Sequence, residues 1–211
     1  MLLATETVIS FLLASFLIGI APGPDSLFVL TQSILHGRTA GLWVTLGLCT
    51  GLLVHTAAVV LGVAAIVQAS PIAFSILKFA GAAYLVYLAW KAFASAPQEL
   101  VQGDCENPRK ALKLYRRGII MNVTNPKVSM FFLAFLPQFV DPAKDSTAMQ
   151  TLSLGALFML MTFVVFGGVA AMAGLLGRLL KRSPRAQILM NRLAGFVFFA
   201  LAAKIATSGI G

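Results

Sequence analysis

The chain has 211 residues, of which 59% are hydrophobic and 11% charged, and its formal net charge is +9. Its mean hydropathy of +0.90 leaves too little polar surface to cover a soluble globule, so lipid must be its main solvent. We reject nucleic-acid binding by the basic segment 109–117, because basic residues beside membrane spans serve topology and contact anionic lipid.

Apolar stretches of about 20 residues cross a hydrocarbon core of roughly 30 Å as helices, and the sequence divides into such stretches throughout. We place six predicted spans near residues 8–30, 40–67, 72–93, 118–140, 151–177 and 188–207. The first is too long for an ordinary signal peptide and follows Glu6, not a basic cluster, so it should be retained. We therefore predict an all-α, polytopic membrane protein with one transmembrane domain over residues 1–211.

The basic residues fall mainly on one predicted face, in the first, third and fifth connections. They are Arg38, Lys91, Arg109, Lys110, Lys113, Arg116, Arg117, Arg178, Lys181, Arg182 and Arg185. The opposite face has little besides Lys144 and Lys204. Because cytoplasmic connections carry the excess of Lys and Arg, both termini are predicted on the non-cytoplasmic side.

The two halves of the chain resemble each other. A proline-broken span opens each half, with Ala-Pro-Gly-Pro-Asp at 21–25 and Thr-Asn-Pro-Lys at 124–127, and the third and sixth spans share a similar segment at 78–81 and 192–195. Three crossings per copy would give two inverted-topology repeats, about 1–94 and 118–211, joined by a cytoplasmic linker, about 95–117. Chance matches of Gly and Pro are the alternative. The linker's end, 110–117, is either a basic interfacial helix or a plain loop.

The first break combines Pro22, Gly23, Pro24 and Asp25. Two residues without an amide hydrogen flank a glycine, so a regular helix is hard to maintain there, and the freed backbone groups must face protein or a wet cavity. A packing kink is the alternative, but Asp25 is the only carboxylate within a predicted span. A buried acid is costly, which favours a functional role, either as a proton carrier or as a fixed anchor.

The second break contains Asn122, Asn125, Pro126 and Lys127. The proposed symmetry would bring Lys127 toward Asp25, so that a zwitterion could insert with its ammonium near the acid and its carboxylate near the lysine and the freed amides. Lys127 could instead extend to the membrane surface. The two asparagines could line a polar cavity or only satisfy the broken backbone.

His55 lies in the middle of the second span, where it could relay protons or simply bond a neighbouring helix. Gly47 and Gly51 beside it are spaced for close helix packing. Cys49 and Cys105 lie at different predicted depths, so a disulfide is not expected. No metal-ligand spacing, no pair of intramembrane acids and no His-Glu-x-x-His motif is present, so we predict no catalytic residue, no metal and no cofactor.

These features together resemble the lysine exporter and homoserine/threonine exporter (LysE/RhtB) family of bacterial inner-membrane transporters. The resemblance rests on Pro-Gly-Pro at 22–24, Gly-Arg-Thr-Ala-Gly at 37–41, Lys78 with Gly-Ala-Ala-Tyr-Leu at 81–85, and the stretch 122–140. Ala89 departs from the glycine expected there, which affects packing only. The resemblance implies six spans and export of amino acids or related metabolites, coupled to the proton gradient. A passive channel or a structural membrane protein is the alternative, and a homo-oligomer is left open.

Overall fold

The computed structural model describes residues 3–63, 71–95, 110–141, 146–175 and 184–207, and the regular structure in these ranges is helical. The helices in chain order are α1 (Thr5–Ile20), α2 (Pro24–His36), α3 (Arg38–Ala58), α4 (Pro71–Ala94), α5 (Lys110–Val123), α6 (Pro126–Met130), α7 (Thr147–Ala171) and α8 (Pro184–Thr207). A π-helical turn, Val59–Val63, continues α3. A second π-helical turn, Phe131–Phe135, and a 3-10 turn, Leu136–Phe139, continue α6.

Two of the predicted spans are broken at their proline motifs, as the sequence predicts. The axes of α1 and α2 meet at 59°, and α5 meets the segment Pro126–Phe139 at 48°. In each pair the second helix begins with a proline, Pro24 in α2 and Pro126 in α6. Proline fits the first helical position because its missing amide hydrogen would have no partner there. Each motif therefore ends one helix and starts the next.

Three helices in the described ranges are long and apolar enough to cross a membrane, and the number rises to five if each bent pair is one span. In α4 the described apolar stretch, Phe79–Ala94, is shorter than a full crossing. The prediction of an all-α, multi-pass membrane protein is thus confirmed. Six spans and the side of the termini stay predictions.

Several span boundaries differ from those predicted. The segment 110–117 forms the first turns of α5, so the fourth helix starts earlier than expected and the plain-loop alternative is wrong. Lys, Arg, Leu and Ala favour helix, which explains the extension. α7 starts at Thr147, before the predicted residue 151, because the Ser146 side chain accepts the Met149 amide and caps the helix. Residues 64–67, 96–109, 144, 176–178 and 181–182 lie outside the described ranges.

The bundle is held by a few close helix contacts. α3 packs along α5, α4 along α8, and α7 lies against both α1 and α3. Gly47 of α3 faces the Tyr115 carbonyl, and a Cβ on Gly118 would lie 2.5 Å from the Val44 carbonyl oxygen. Only glycine permits this approach, so the small-residue positions of the second span are packing contacts. This contact sets α5 beside α3 and so positions the second break.

Candidate functional site

At the first break, some of the free backbone groups form hydrogen bonds with a side chain of the break itself. α1 ends at Ile20, and Pro22 has no amide hydrogen to offer the Ile18 carbonyl four residues earlier. The Gly23 amide donates to Ser26 Oγ at 2.9 Å, and the same hydroxyl donates back to the Gly23 carbonyl at 3.0 Å. Asp25 sits in the first turn of α2 and is 1% exposed. Its carboxyl group is therefore inside the bundle.

The second break has the same plan with a different cap. The Asn125 side chain accepts the Lys127 amide at 3.0 Å and so caps α6, which begins at Pro126. Asn122, at the end of α5, is 1% exposed, and Lys127 is 7% exposed. Each helix restart is thus a proline followed by a buried charged residue, aspartate in the first break and lysine in the second.

The Lys127 side chain joins the two breaks. Its Nζ donates to the carbonyl oxygens of Ile18 and Ala21, at 3.2 Å each, which are two of the backbone acceptors that the first break leaves open. A Cβ on Gly23 would lie 3.0 Å from the same Nζ. The ammonium therefore points into the bundle, and the alternative in which Lys127 extends to the membrane surface does not describe it.

Asp25 lies on the other side of this junction, beside both asparagines. The amide groups of Asn122 and Asn125 adjoin its carboxyl group, and Lys127 and His55 lie within electrostatic range. Both asparagine side chains come close enough to the carboxyl group to stabilise its charge. Within the described residues, Asp25 Oδ1, Asn122 Oδ1 and Asn125 Nδ2 are nevertheless buried without a well-aligned hydrogen bond. Buried polar atoms are almost always paired. Asn122 Oδ1 lies against Gly51 of α3, where a Cβ on the glycine would come within 2.8 Å of it. Asp25 Oδ1 and Asn125 Nδ2 are left as one acceptor and one donor at the junction of the two breaks.

His55 takes part through the backbone. It is 8% exposed, and its Nε2 donates to the Asn122 carbonyl at 3.1 Å. That carbonyl also accepts the Asn125 amide at 3.0 Å, and Pro126 has no amide hydrogen to offer it, so the imidazole is a second donor to it. Its ring also packs on Phe132, with the centroids 5.6 Å apart. The hydrogen-bonding alternative for His55 is thus present in the structure.

An apolar cavity of about 270 Å³ adjoins the first break, between α1, α2, α7 and α8. Its lining includes Ala21, Pro22, Ser26, Leu27, Met190 and Val197. An apolar cavity of about 150 Å³ is enough to hold a benzene molecule. The first break therefore has buried charged residues nearby and, next to it, a cavity with space for an apolar group.

Some partners in this site were not predicted from the sequence. The carbonyls of Ile18 and Asn122 are each four residues before a proline of the breaks, and each is bonded by a side chain from elsewhere, Lys127 and His55 respectively. For Ile18 this spacing was available in the sequence as a signal for an acceptor that needs a donor. The Asn122 carbonyl also accepts the Asn125 amide, so its bond to His55 adds to a backbone bond. The role of Ser26 had no comparable signal.

Helices interrupted inside the membrane, with buried opposite charges where they meet, are the architecture of secondary transporters. The described fold is that of a multi-pass helical membrane protein with two interrupted helices of this kind. The family model for the LysE type translocator matches residues 16–209, and the chain belongs to that family. It is a membrane transporter and not an enzyme.

Relatives match over nearly the whole chain. A leucine efflux protein of Enterobacter sp. (strain 638) is 30% identical over 203 residues, covering 94% of both chains. A homoserine/homoserine lactone efflux protein of Salmonella typhimurium is 33% identical over 202 residues, 94% of this chain and 95% of the relative. An uncharacterized membrane protein of Vibrio cholerae is 33% identical over 201 residues, 95% and 96% of the two chains. No solved structure matches the chain.

Proposed function

We propose that this protein exports amino acids or closely related metabolites from the bacterial cytoplasm across the inner membrane, in exchange for protons. The observation that carries the proposal is the buried Asp25 Oδ1, which makes no hydrogen bond within the described residues although it lies where two broken helices meet. A carboxylate in such a position is costly unless a cation or a proton joins it. A substrate ammonium or a proton would supply that partner.

A zwitterion fits the donors and acceptors at the junction. Its ammonium would bind Asp25 Oδ1, its carboxylate would bind Asn125 Nδ2, and Asn122 would border the site beside the Asp25 carboxyl group. A lysine ammonium has three donors, so Lys127 keeps one after its bonds to Ile18 and Ala21 and would direct it at the same carboxylate. The flanking residues Pro22, Gly23, Pro24 and Pro126 would shape the site by holding the helices apart.

Two observations support a pair of inverted repeats. Pro24 and Pro126 open corresponding helices, and the next residue in each case is the buried charge. The helix contacts are also paired: the third and sixth spans pack together as α4 and α8, and the second and fifth as α3 and α7. Such a pseudo-two-fold arrangement suits alternating access, because the two halves can exchange conformations about a central site.

For proton coupling we favour Asp25 over His55. The His55 Nε2 is engaged with the Asn122 carbonyl, so a proton relay through it would break a contact that supports the helix break. Asp25 can alternate between a proton and a substrate ammonium without disturbing the backbone. One carboxylate serving both ligands in turn would produce exchange.

The relatives narrow the substrate class. The leucine efflux protein and the homoserine/homoserine lactone efflux protein are named for one amino acid with an apolar side chain and one small polar amino acid with its lactone. We propose that this chain acts on a substrate of the same size class.

The test compares cells that lack the protein with cells that overproduce it. Each amino acid is fed as a dipeptide, and the intracellular accumulation of the free amino acid is measured. We expect overproduction to lower the accumulation of one or a few amino acids, and Asp25→Asn, present in the membrane at the normal level, to abolish that effect. A flat profile across all amino acids would contradict the substrate class.

The coupling is tested separately. Adding a protonophore to loaded cells should stop efflux against a substrate gradient, because exchange needs an inward proton gradient. Efflux that ignores the proton gradient and only follows the substrate gradient would identify a passive channel. The matched surface control for these assays is Lys113→Met, because Lys113 is exposed on α5.

A further inference from the structure

Phenylalanines fill the bundle between the helix breaks and the end of the molecule that carries Glu6 and Asp141. Phe11 contacts Phe131 with the ring centroids 5.9 Å apart and Phe139 at 5.2 Å. Phe131 also lies 4.7 Å from Phe158 and 5.0 Å from Phe135. We call these five residues the phenylalanine plug. Phe11, Phe131, Phe135 and Phe158 are at most 5% exposed, so the plug has no water path through it.

A polar cavity lies beyond the plug. It is a wide-open groove of about 490 Å³ lined by Glu6, Thr7, Ser10, Gln138, Asp141 and Lys204, and Phe139 and Val140 also line it. We call it the vestibule. The apolar cavity beside the first break contrasts with it, because the vestibule is bordered by both acidic and basic side chains.

The same order of features occurs along two separate segments. Along α1 the chain passes from Glu6 and Ser10 in the vestibule to Phe11 in the plug and then to the first break. From the second break the chain passes from Lys127 through Phe131 and Phe135 to Asp141 in the vestibule. Two walls with the same sequence of charged site, aromatic barrier and polar chamber define a path.

The wall formed by residues 131–139 has an irregular backbone. It is a π-helical turn over Phe131–Phe135 followed by a 3-10 turn over Leu136–Phe139, while α2, its counterpart after the first break, is an α-helix. π-helical turns and 3-10 stretches within helices often mark functional hinges. Three phenylalanines of the plug are carried by this segment, so a change in its winding would move them together.

Side chains hold the vestibule end of this wall in place. Gln150 of α7 accepts the Asp141 amide at 2.9 Å and donates to the Asp141 carbonyl at 2.9 Å. The Lys204 ammonium lies 4.9 Å from the centroid of the Phe139 ring, where a cation is attracted to the ring face. These contacts fix the observed, closed arrangement.

We propose that the vestibule is the exit chamber of the transport path and that the phenylalanine plug is its closed gate. This inference rests on the proposed export function. Opening requires residues 131–139 to withdraw their rings from Phe11 and Phe158, which connects the charged site with the vestibule. The released ligand is a small zwitterion, for which the vestibule offers the carboxylate of Glu6 and the ammonium of Lys204.

The test measures access by cysteine labelling in the full-length protein, with Cys49→Ser and Cys105→Ser as background. One reporter is Ser129→Cys, between the charged site and the plug, and the other is Ser10→Cys, in the vestibule. A membrane-impermeant thiol reagent is added to spheroplasts and, in parallel, to inverted vesicles. We expect Ser10→Cys to react in spheroplasts and Ser129→Cys to be protected there.

Adding Phe135→Ala to Ser129→Cys should raise its labelling rate in spheroplasts by about tenfold or more. The closed arrangement loses two ring contacts, with Phe131 and Phe139, and a tenfold shift needs only about 1.4 kcal/mol. Phe135→Leu, which keeps most of the volume, should give a smaller increase and serves if the alanine variant does not fold. The control Phe199→Ala removes a ring that is 57% exposed, and it should leave the rate unchanged.

Three results would overturn the proposal. They are rapid labelling of Ser129→Cys in spheroplasts with the plug intact, no acceleration by either Phe135 variant in folded protein, and labelling of Ser10→Cys only in inverted vesicles. None of these readouts depends on which substrate is carried. A flat amino-acid profile together with the expected labelling pattern would therefore reject the proposed substrate and leave the gate standing.

Discussion

The two helix breaks follow one plan but use their charged residues differently. In both, a proline opens the second helix and the following residue is a buried charge, Asp25 or Lys127. Lys127 donates two hydrogen bonds to carbonyls of the other break, whereas Asp25 Oδ1 makes no hydrogen bond within the described residues. The comparison shows that Lys127 is bonded into the fold, while one oxygen of Asp25 has no hydrogen bond among the described residues, as the proposed binding role requires.

Helix electrostatics explain why the two charges differ. Asp25 lies at the N-terminus of α2, where the helix dipole favours an anion by about 0.3–1 kcal/mol. Lys127 is a cation near the N-terminus of α6, where the dipole opposes it. Its ammonium reaches instead the C-terminal carbonyls of α1, where a cation is favoured. Lys127 is thus stable only because the first break lies next to the second.

The largest expected effect comes from Lys127→Met. This change removes two hydrogen bonds from a charged donor, each contributing about 1.5–3 kcal/mol, and leaves two buried carbonyls without that donor. We expect a loss of about 3 kcal/mol or more in stability together with loss of transport. The unfolding midpoint in detergent measures the first and dipeptide-loaded efflux the second. Lys113→Met is the control, and equal midpoints for the two variants would contradict the structural role.

Asp25→Asn should separate function from stability. The amide has nearly the same shape, and the relief from burying a charge opposes the lost attraction to Lys127, so stability should change by less than about 1 kcal/mol. Transport should nevertheless be abolished, because the amide offers neither a negative charge nor a site for a proton. Efflux and the unfolding midpoint are measured on the same preparation. If Asp25→Asn unfolds as readily as Lys127→Met, the contrast between the breaks fails.

The sequence predicted the breaks well because their cause is local. Proline lacks an amide hydrogen wherever it occurs, so the residues around Pro22 and Pro126 already determine that both spans bend. The structure places the Lys127 ammonium at the first break. The repeat predicted from the sequence had indicated this proximity. It did not predict the bonds to Ile18 and Ala21, because these depend on how closely α5 and α1 approach within the bundle.

The irregular winding of residues 131–139 could not be predicted from the sequence either. Its phenylalanines are typical of any apolar span, and nothing in their spacing distinguishes a π-helical turn from an α-helix. Within this segment Phe131 packs against Phe11, Phe135 and Phe158. Contacts of this kind join residues far apart in the chain, so single-sequence reasoning does not reach them.

Removing the side chain that caps a helix at either break should lower stability by less than Lys127→Met does. Asn125→Ala removes the side chain that accepts the Lys127 amide, and loss of such a cap costs about 1 kcal/mol, with a range of about 0.5–2. Because the proposed site also uses Asn125 Nδ2 to bind the substrate carboxylate, we expect the apparent affinity for substrate to fall as well. Efflux at graded substrate levels measures the affinity. Thr124→Ala, at an exposed neighbour, should change neither quantity.

Ser26→Ala should have the smallest effect and completes the comparison. The hydroxyl accepts the Gly23 amide and donates to the Gly23 carbonyl, so its loss opens a local cap without touching a buried charge. A neutral hydrogen bond contributes about 0.5–1.5 kcal/mol, and Ser26 is only partly buried beside the apolar cavity, so the lower end applies. We expect a slightly lower unfolding midpoint and normal efflux, with Ser153→Ala as an exposed control. A loss of efflux as complete as in Asp25→Asn would mean that the first break binds substrate through its cap and not through its charge.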